Sequence, residues 1–194
     1  MEIEAEPNRD RIVAMMLDAL HAEGIPFLLV GSFSSNHWGI PRSTRDADFV
    51  IELGGKSVLS LAQHLPATMK IDPQVQFESV TGTLRNVIKV ADTLFKVELF
   101  RLSQDPHDQE RFRRRVVVQM LGRDVFLPTV EDVVITKLRW CGYLNRAKDR
   151  EDIRQMLIVR KSVVDWDYVY HWCDQHGTRE TLDVIRSEIP SPSN

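Results

Sequence analysis

Cysteine is scarce in this chain. Cys141 and Cys173 are the only two among 194 residues. Both lie in apolar, helical-looking sequence, with no Cys-x-x-Cys pair and no Cys/His spacing around them. That sets aside a zinc finger or ribbon and predicts two free, buried thiols rather than a disulfide. No apolar run approaches the roughly 20 residues needed to span a bilayer. The acidic start, Met1 to Pro7, lacks the apolar segment of a signal peptide. A cytoplasmic chain with no membrane contact is the expectation. Positive charge is not in excess either: 25 Lys and Arg stand against 28 Asp and Glu, a formal net charge of −3. A global basic field of the kind that drives nonspecific nucleic-acid binding is therefore absent. There is no internal repeat and no low-complexity run, so the length fits one compact domain or a core with a small appendage.

What is present is an alternation of helical and strand patterns, followed by helix alone. Ile12, Met15, Met16, Ala19 and Leu20 give an apolar stripe to a helix over 9–23, with Asn8 as its N-cap and Gly24 and Pro26 ending it. Phe27 to Val30 is a short apolar strand. A short helix over 33–39 follows a Gly31–Ser32 turn, and a second strand covers 46–52. Further expected elements are a helix over 58–65, strands at 77–80, 86–90 and 93–99, a charged helix over 107–115, and a hairpin of 116–120 with 125–127 around Gly122-Arg123-Asp124. From Thr129, a helix N-cap with Asp132 three residues on, the pattern is helical: a helix from about 131, then 150–160, 166–176 and 178–189. The aromatics Trp166, Tyr168, Tyr170 and Trp172 read as packing between these helices. The division falls near 128, between a mixed α/β core (1–128) and a C-terminal helical subdomain (129–194).

Asp46 and Asp48 carry the chemistry. Two apart on a strand, they point to the same side, together with Val50. Carboxylates so placed repel each other unless a cation sits between them, and Mg²⁺ or Mn²⁺ suits carboxylate and phosphate oxygens together. Gly31 allows close backbone approach, and Ser32 offers a hydroxyl beside the amides of a helix start, a combination suited to phosphate. Arg42 and Arg45 flank the acidic pair, either to grip a phosphate or to neutralise the aspartates. Glu52 is a weaker candidate near the far end of the same strand. His37 reads as packing or a cap. Arg111-Phe-Arg-Arg-Arg115 reads as a solvated helix face, with binding of an acceptor RNA or an acidic partner as the alternative.

The strand, the Gly31–Ser32 turn and Arg42-Ser-Thr-Arg-Asp-Ala-Asp48 resemble the nucleotidyltransferase superfamily, in particular the small bacterial minimal nucleotidyltransferases and AbiEii-like proteins. Thr129-Val-Glu-Asp132 through Lys137, and Lys148-Asp-Arg-Glu-Asp-Ile153, resemble the helical segments of the same proteins. The resemblance implies a nucleotidyltransferase-like mixed sheet flanked by helices (α+β), with a helical subdomain closing over a nucleotide cleft. It implies a third carboxylate, here Glu98 within Val97-Glu-Leu99, where the family usually has aspartate. Asp46, Asp48 and Glu98 would be the metal ligands and catalytic carboxylates. Gly31, Ser32, Arg42, Arg45 and Lys137 would bind the NTP, with Lys148 a weaker second lysine. Lys148, Asp149 and Asp152 also fit a structural part, including a Lys148–Asp152 pair along one helix. The implied reaction is attack of an acceptor hydroxyl on the α-phosphorus of the NTP, with pyrophosphate leaving. The glutamate at 98 leaves open a protein that binds nucleotide without turnover, as a sensor or a component of a toxin–antitoxin pair. The acceptor (small molecule, RNA or protein) is not named by these residues, nor is a partner protein or homodimer.

Overall fold

The computed structural model describes residues 9–79, 82–144 and 147–189, with the backbone alone at Tyr143 and Leu144. Helix α1 (Arg9–Ala22) buries Ile12, Val13, Met16, Leu17, Ala19 and Leu20. Strand β1 (Phe27–Val30) follows, and helix α2 (Gly31–Trp38) starts with no intervening turn. The expected separate glycine–serine turn is thus the first turn of the helix itself. The positive φ of Gly31, +62°, makes the bend. After β2 (Asp46–Ile51), a 3₁₀ segment at Val58–His64 replaces the expected α-helix. Strands β3 (Met69–Ile71), β4 (Gln76–Glu78), β5 (Thr83–Val90) and β6 (Lys96–Arg101) complete the sheet. Asn8, Val80, Thr81, Asn145, Arg146 and Pro190 to Asn194 lie outside the described residues.

The sheet runs in the order β1-β2-β6-β5-β3, with β4 also pairing with β5. β2 and β6 are parallel, and the other pairings are antiparallel. Alternation sorts the side chains by face. Phe27, Leu29, Ala47, Phe49, Ile51, Ile88, Val90, Val97 and Leu99 join α1 in the larger core. Leu28 and Val50 share the opposite face with Phe112, Val30 and Phe100. That second face also carries the acidic residues.

Helix α3 (Pro106–Arg113) is capped by Asp105, which accepts from the amides of His107 and Asp108. Strands β7 (Val116–Met120) and β8 (Arg123–Leu127) form a separate hairpin. Its loop is Leu121–Gly122, both at positive φ, so Arg123 and Asp124 belong to the strand rather than the turn. Such a two-residue loop suits the right-handed twist of the strands. Helices α4 (Val130–Leu144), α5 (Ala147–Arg160), α6 (Trp166–His176) and α7 (Arg179–Ser187) form the C-terminal helical subdomain. Their buried residues, among them Val134, Leu138, Ile153, Met156, Val169, Cys173 and Leu182, make a second cluster against which the four expected aromatics pack. Cys141 and Cys173 are free and buried. Thr129 caps α4: its hydroxyl takes the Asp132 amide at 3.4 Å and donates to the Asp132 carboxylate at 3.0 Å. The architecture is a mixed α/β fold with a central sheet flanked by helices. No helix among the described residues is long and apolar enough to cross a membrane.

Leu99 sits at the centre of the sheet with no exposure, one residue from Glu98. Leu99→Ala is expected to cost about 2–5 kcal/mol of stability, from lost burial and the cavity left behind. A urea titration with unchanged m-value would read it.

Candidate functional site

The parallel register places Asp46 beside Lys96 and Asp48 beside Glu98. Since paired residues on adjacent strands point to one face, a single two-residue period brings the three carboxylates together. They line one cavity of about 290 Å³. Its floor is the polar face of β2, β6 and β5, and one wall is the start of α2 with Gly31, Ser32 and Ser34. Its roof comes from α3 (Asp108, Arg111), α4 (Thr136, Lys137, Trp140) and α5 (Lys148, Asp149).

Gly31 and Asp48 are locked together. A Cβ at position 31 would lie 2.1 Å from Asp48 Oδ2, and the backbone there is left-handed. Only glycine allows both the bend and the approach. Helix α2 has Val30 at its N-cap position, with no side-chain cap, so its first-turn amides are of the type that binds anions. Ser34 and Ser35 instead donate to the Gly31 carbonyl, at 2.9 and 2.8 Å. Thr44 holds Asp46 by donating to Oδ1 at 2.8 Å.

The charges are unequal in their surroundings. Glu98 is buried and paired with Arg85 at 3.0 Å and, more tightly, with Lys96. Asp48 is instead pushed up to about 7 from the usual 3.8, first by burial against the cavity wall, then by the charges of Asp46 and Glu98; Lys96 and Lys148 only partly offset this.

The remaining expected residues divide. Lys137 lines the cavity but is paired with Asp149 at 2.9 Å and Asp152 at 2.8 Å. Arg42 forks onto Asp152 through Nε and Nη2, both at 2.7 Å, and also donates to Ser32 Oγ at 3.2 Å. Asp152 thus serves Arg42 and Lys137 rather than the expected Lys148 one turn back. Arg45 is exposed and outside the cavity lining. Glu52 is exposed, past the end of β2, and outside the lining too. His37 packs edge-on against Trp38, and neither lines the cavity.

Within the charged run 111–115 only Arg113 is fully solvated. Arg111 is buried in the roof, paired with Asp108 at 3.0 Å and donating to Thr136 at 3.2 Å. Arg114 lies over the Tyr168 ring, and Arg115 over Phe112. Sequence reasoning missed Asp108, Arg111 and Thr136 as cavity residues, along with Glu78 and Arg85 from β4 and β5. The only available signal was the odd phenylalanine within the arginine run. A separate Asp/His group, Asp105, His107 and His176, has a geometry able to hold a metal ion. None of the three lines the cavity.

The fold is shared with solved nucleotidyltransferase structures. The solution structure of the antibiotic-resistance factor ANT(2″)-Ia superimposes with a TM-score of 0.63 at 11% identity, over 92% of this chain and 96% of that one. A nucleotidyltransferase-like antigen from Paracoccidioides brasiliensis gives 0.59 at 16% identity, over 94% of each. The lincosamide adenylyltransferase LnuA, with lincomycin bound, gives 0.54 at 14%, over 81% of this chain and 98% of that one. No protein-family model matches the chain, and no curated protein does. At these identities the likeness is one of fold: the chain has the nucleotidyltransferase fold.

Two predictions follow from this geometry. Ionised Asp48 carries a cost that is absent below about pH 4, grows as pH rises towards about 7, and is complete above it. The full cost is on the order of 4 kcal/mol at most, less what water in the cavity screens. Asp48→Asn is therefore expected to melt higher than the parent at pH 8 without metal, with the gain fading as pH falls from 7 to 4. A constant difference across that range would contradict the assignment. Gly31→Ala is expected to lose at least about 1–2 kcal/mol from the left-handed backbone alone, with further loss from the clash with Asp48, read by thermal melting.

Proposed function

We propose that this protein transfers a nucleotidyl group from an NTP to a hydroxyl acceptor, with Asp46, Asp48 and Glu98 holding one or two Mg²⁺ or Mn²⁺ ions. The observation that carries the reading is the parallel register that brings Asp46, Asp48 and Glu98 onto one cavity wall beside Gly31 and Ser32. The donor set is oxygen only, as hard divalent cations require. When bound, such an ion would neutralise phosphate charge and favour departure of pyrophosphate.

The chain's own residues would do the rest. Gly31 and Ser32, at the start of α2, would seat phosphate oxygens on backbone amides and a hydroxyl. Arg42 already touches Ser32 and would bring a forked cation to the same place. Lys137, and behind it Lys148, would supply charge from the roof. Arg45, on the surface, would act at most on a phosphate outside the cavity. Glu98 would take the acceptor's proton, and Thr44 would keep Asp46 oriented. Positioning and charge neutralisation, rather than a covalent intermediate, would supply the rate. In this reading residues 1–128 carry the metal and phosphates, and residues 129–194 close over them. The acceptor would be a hydroxylated small molecule, in line with the lincomycin bound to the adenylyltransferase LnuA of the same fold, with RNA or a protein hydroxyl as the other classes. The requirement for NTP and the two free thiols suit a cytoplasmic setting.

One observation favours a second reading. Glu98 is already engaged by both Arg85 and Lys96, one on each carboxylate oxygen, so an acceptor hydroxyl would have to compete with a cation for either oxygen. The protein would then bind nucleotide without turnover, as a sensor or as the AbiEii-like member of a toxin–antitoxin pair, with a partner protein or second copy as its target.

The test is incubation with α-labelled NTP and Mg²⁺ or Mn²⁺, offering RNA, hydroxylated small molecules and the protein itself as acceptors. Label transfer is expected, reduced about 10²-fold or more by Glu98→Gln and lost in Asp48→Asn. A melting temperature raised by NTP and Mn²⁺ without transfer would select the second reading. No shift and no transfer would defeat both.

A further inference from the structure

We infer that Asp105, His107 and His176 form a second metal site, suited to Zn²⁺ or a related transition ion, that clamps the start of α3 to the end of α6. One ligand atom from each residue lies within 4.8 Å of the other two. Ligands at the usual 2.0–2.1 Å around one tetrahedral ion lie about 3.3 Å apart, so the three atoms need close by no more than about 1.5 Å.

The imidazoles are arranged for ligation. His107 is completely buried, its Nε2 is bonded to Asp132 Oδ1 at 3.1 Å, and its Nδ1 is buried without a hydrogen-bond partner. A histidine whose far nitrogen is fixed by a carboxylate, leaving the near one unused, is the arrangement found behind metal ligands. The Nδ1 of His176 is likewise buried without a partner. Two unpaired imidazole nitrogens side by side are unusual, because buried polar atoms are ordinarily satisfied. The rings meet edge to face at 5.4 Å, with Trp172 stacked against His176.

Asp105 completes the set. Its Oδ1 accepts from the amides of His107 and Asp108 and from Arg139 Nη1, while Oδ2 accepts from Arg139 Nη2 at 2.9 Å. Among these bonds Oδ2 carries one donor and keeps a lone pair. Arg139 is a nearby cation and weakens the site for any metal. Two of the three donors are imidazole nitrogens, which is why a nitrogen-seeking transition ion is assigned here and the oxygen-seeking Mg²⁺ is not. The fourth position would fall to water. Asp132 ties the site into the helical subdomain, since it also accepts from Tyr168 at 2.7 Å and from Thr129. The expected role is structural, and it is separate from the cavity chemistry, with which it shares no residue.

The test uses the full chain without a histidine tag, titrated with Zn²⁺ by calorimetry and with Co²⁺ by visible absorption. One ion per chain is expected, with a tetrahedral Co²⁺ spectrum and a raised melting temperature that chelator reverses. His176→Asn, at a half-buried helix end, is expected to fold and to bind Zn²⁺ at least about tenfold more weakly. Asp132→Asn is expected to weaken binding in the same direction while leaving the ligands in place. Asp48→Asn should bind Zn²⁺ as the parent does, and millimolar Mg²⁺ should not displace it. Equal Zn²⁺ binding by His176→Asn and the parent would overturn the site. So would absence of stoichiometric binding, or loss of binding in Asp48→Asn alone.

Discussion

The parallel pairing of β2 with β6 is the constraint on which the rest of the structure depends. It sets Asp48 directly beside Glu98, with Asp46 one step away, and so concentrates negative charge on one face of a sheet whose other face is hydrocarbon. The apolar face cannot slip by one residue without moving every carboxylate into the core and every aliphatic into the cavity. Burial of Phe49, Val97 and Leu99 therefore fixes the register of the acids. Packing on one side of the sheet determines the electrostatics on the other.

The cavity responds to that charge unevenly. Glu98 is satisfied by Arg85 and Lys96, whereas Asp48 keeps a proton affinity far above its ordinary value. In the roof the pairing is shared: Asp152 holds Arg42 and Lys137 at once, and Asp149 holds Lys137 again. Buried pairs of this kind contribute little net stability but strongly oppose being broken. They join α2, α4 and α5 into one arrangement around the cavity, in which Arg42 reaches from the loop before β2 to both Ser32 and α5.

Much of the sheet and the acidic pair was legible in the sequence, because a two-residue period with apolar partners is a local signal. Asp46-Ala-Asp48-Phe-Val and Phe95-Lys-Val-Glu-Leu99 each show which side chains share a face without reference to any other strand. Thr129 and Asp132 announced a helix start in the same way, although not that Asp132 would also gather His107, Tyr168 and Arg114. Met69–Ile71 is three residues long and gives no period to detect. Arg111 looked like part of a solvated surface because charge alone does not say which turn of α3 faces the roof. His107 and His176 are nearly seventy positions apart, and only the packing of α6 on α3 reveals them as neighbours. The Lys148–Asp152 pair was a sound local expectation that lost to stronger partners, Arg42 and Lys137, supplied from other elements.

The contact between Gly31 and Asp48 has a meaning for heredity as well as for geometry. With 2.1 Å between a methyl at 31 and an oxygen at 48, the first locus is not free to drift while the acid at the second stays. A lineage that acquires a side chain at the first has to surrender the acid at the second. The bend at the first is thus kept for as long as the acid behind it is kept.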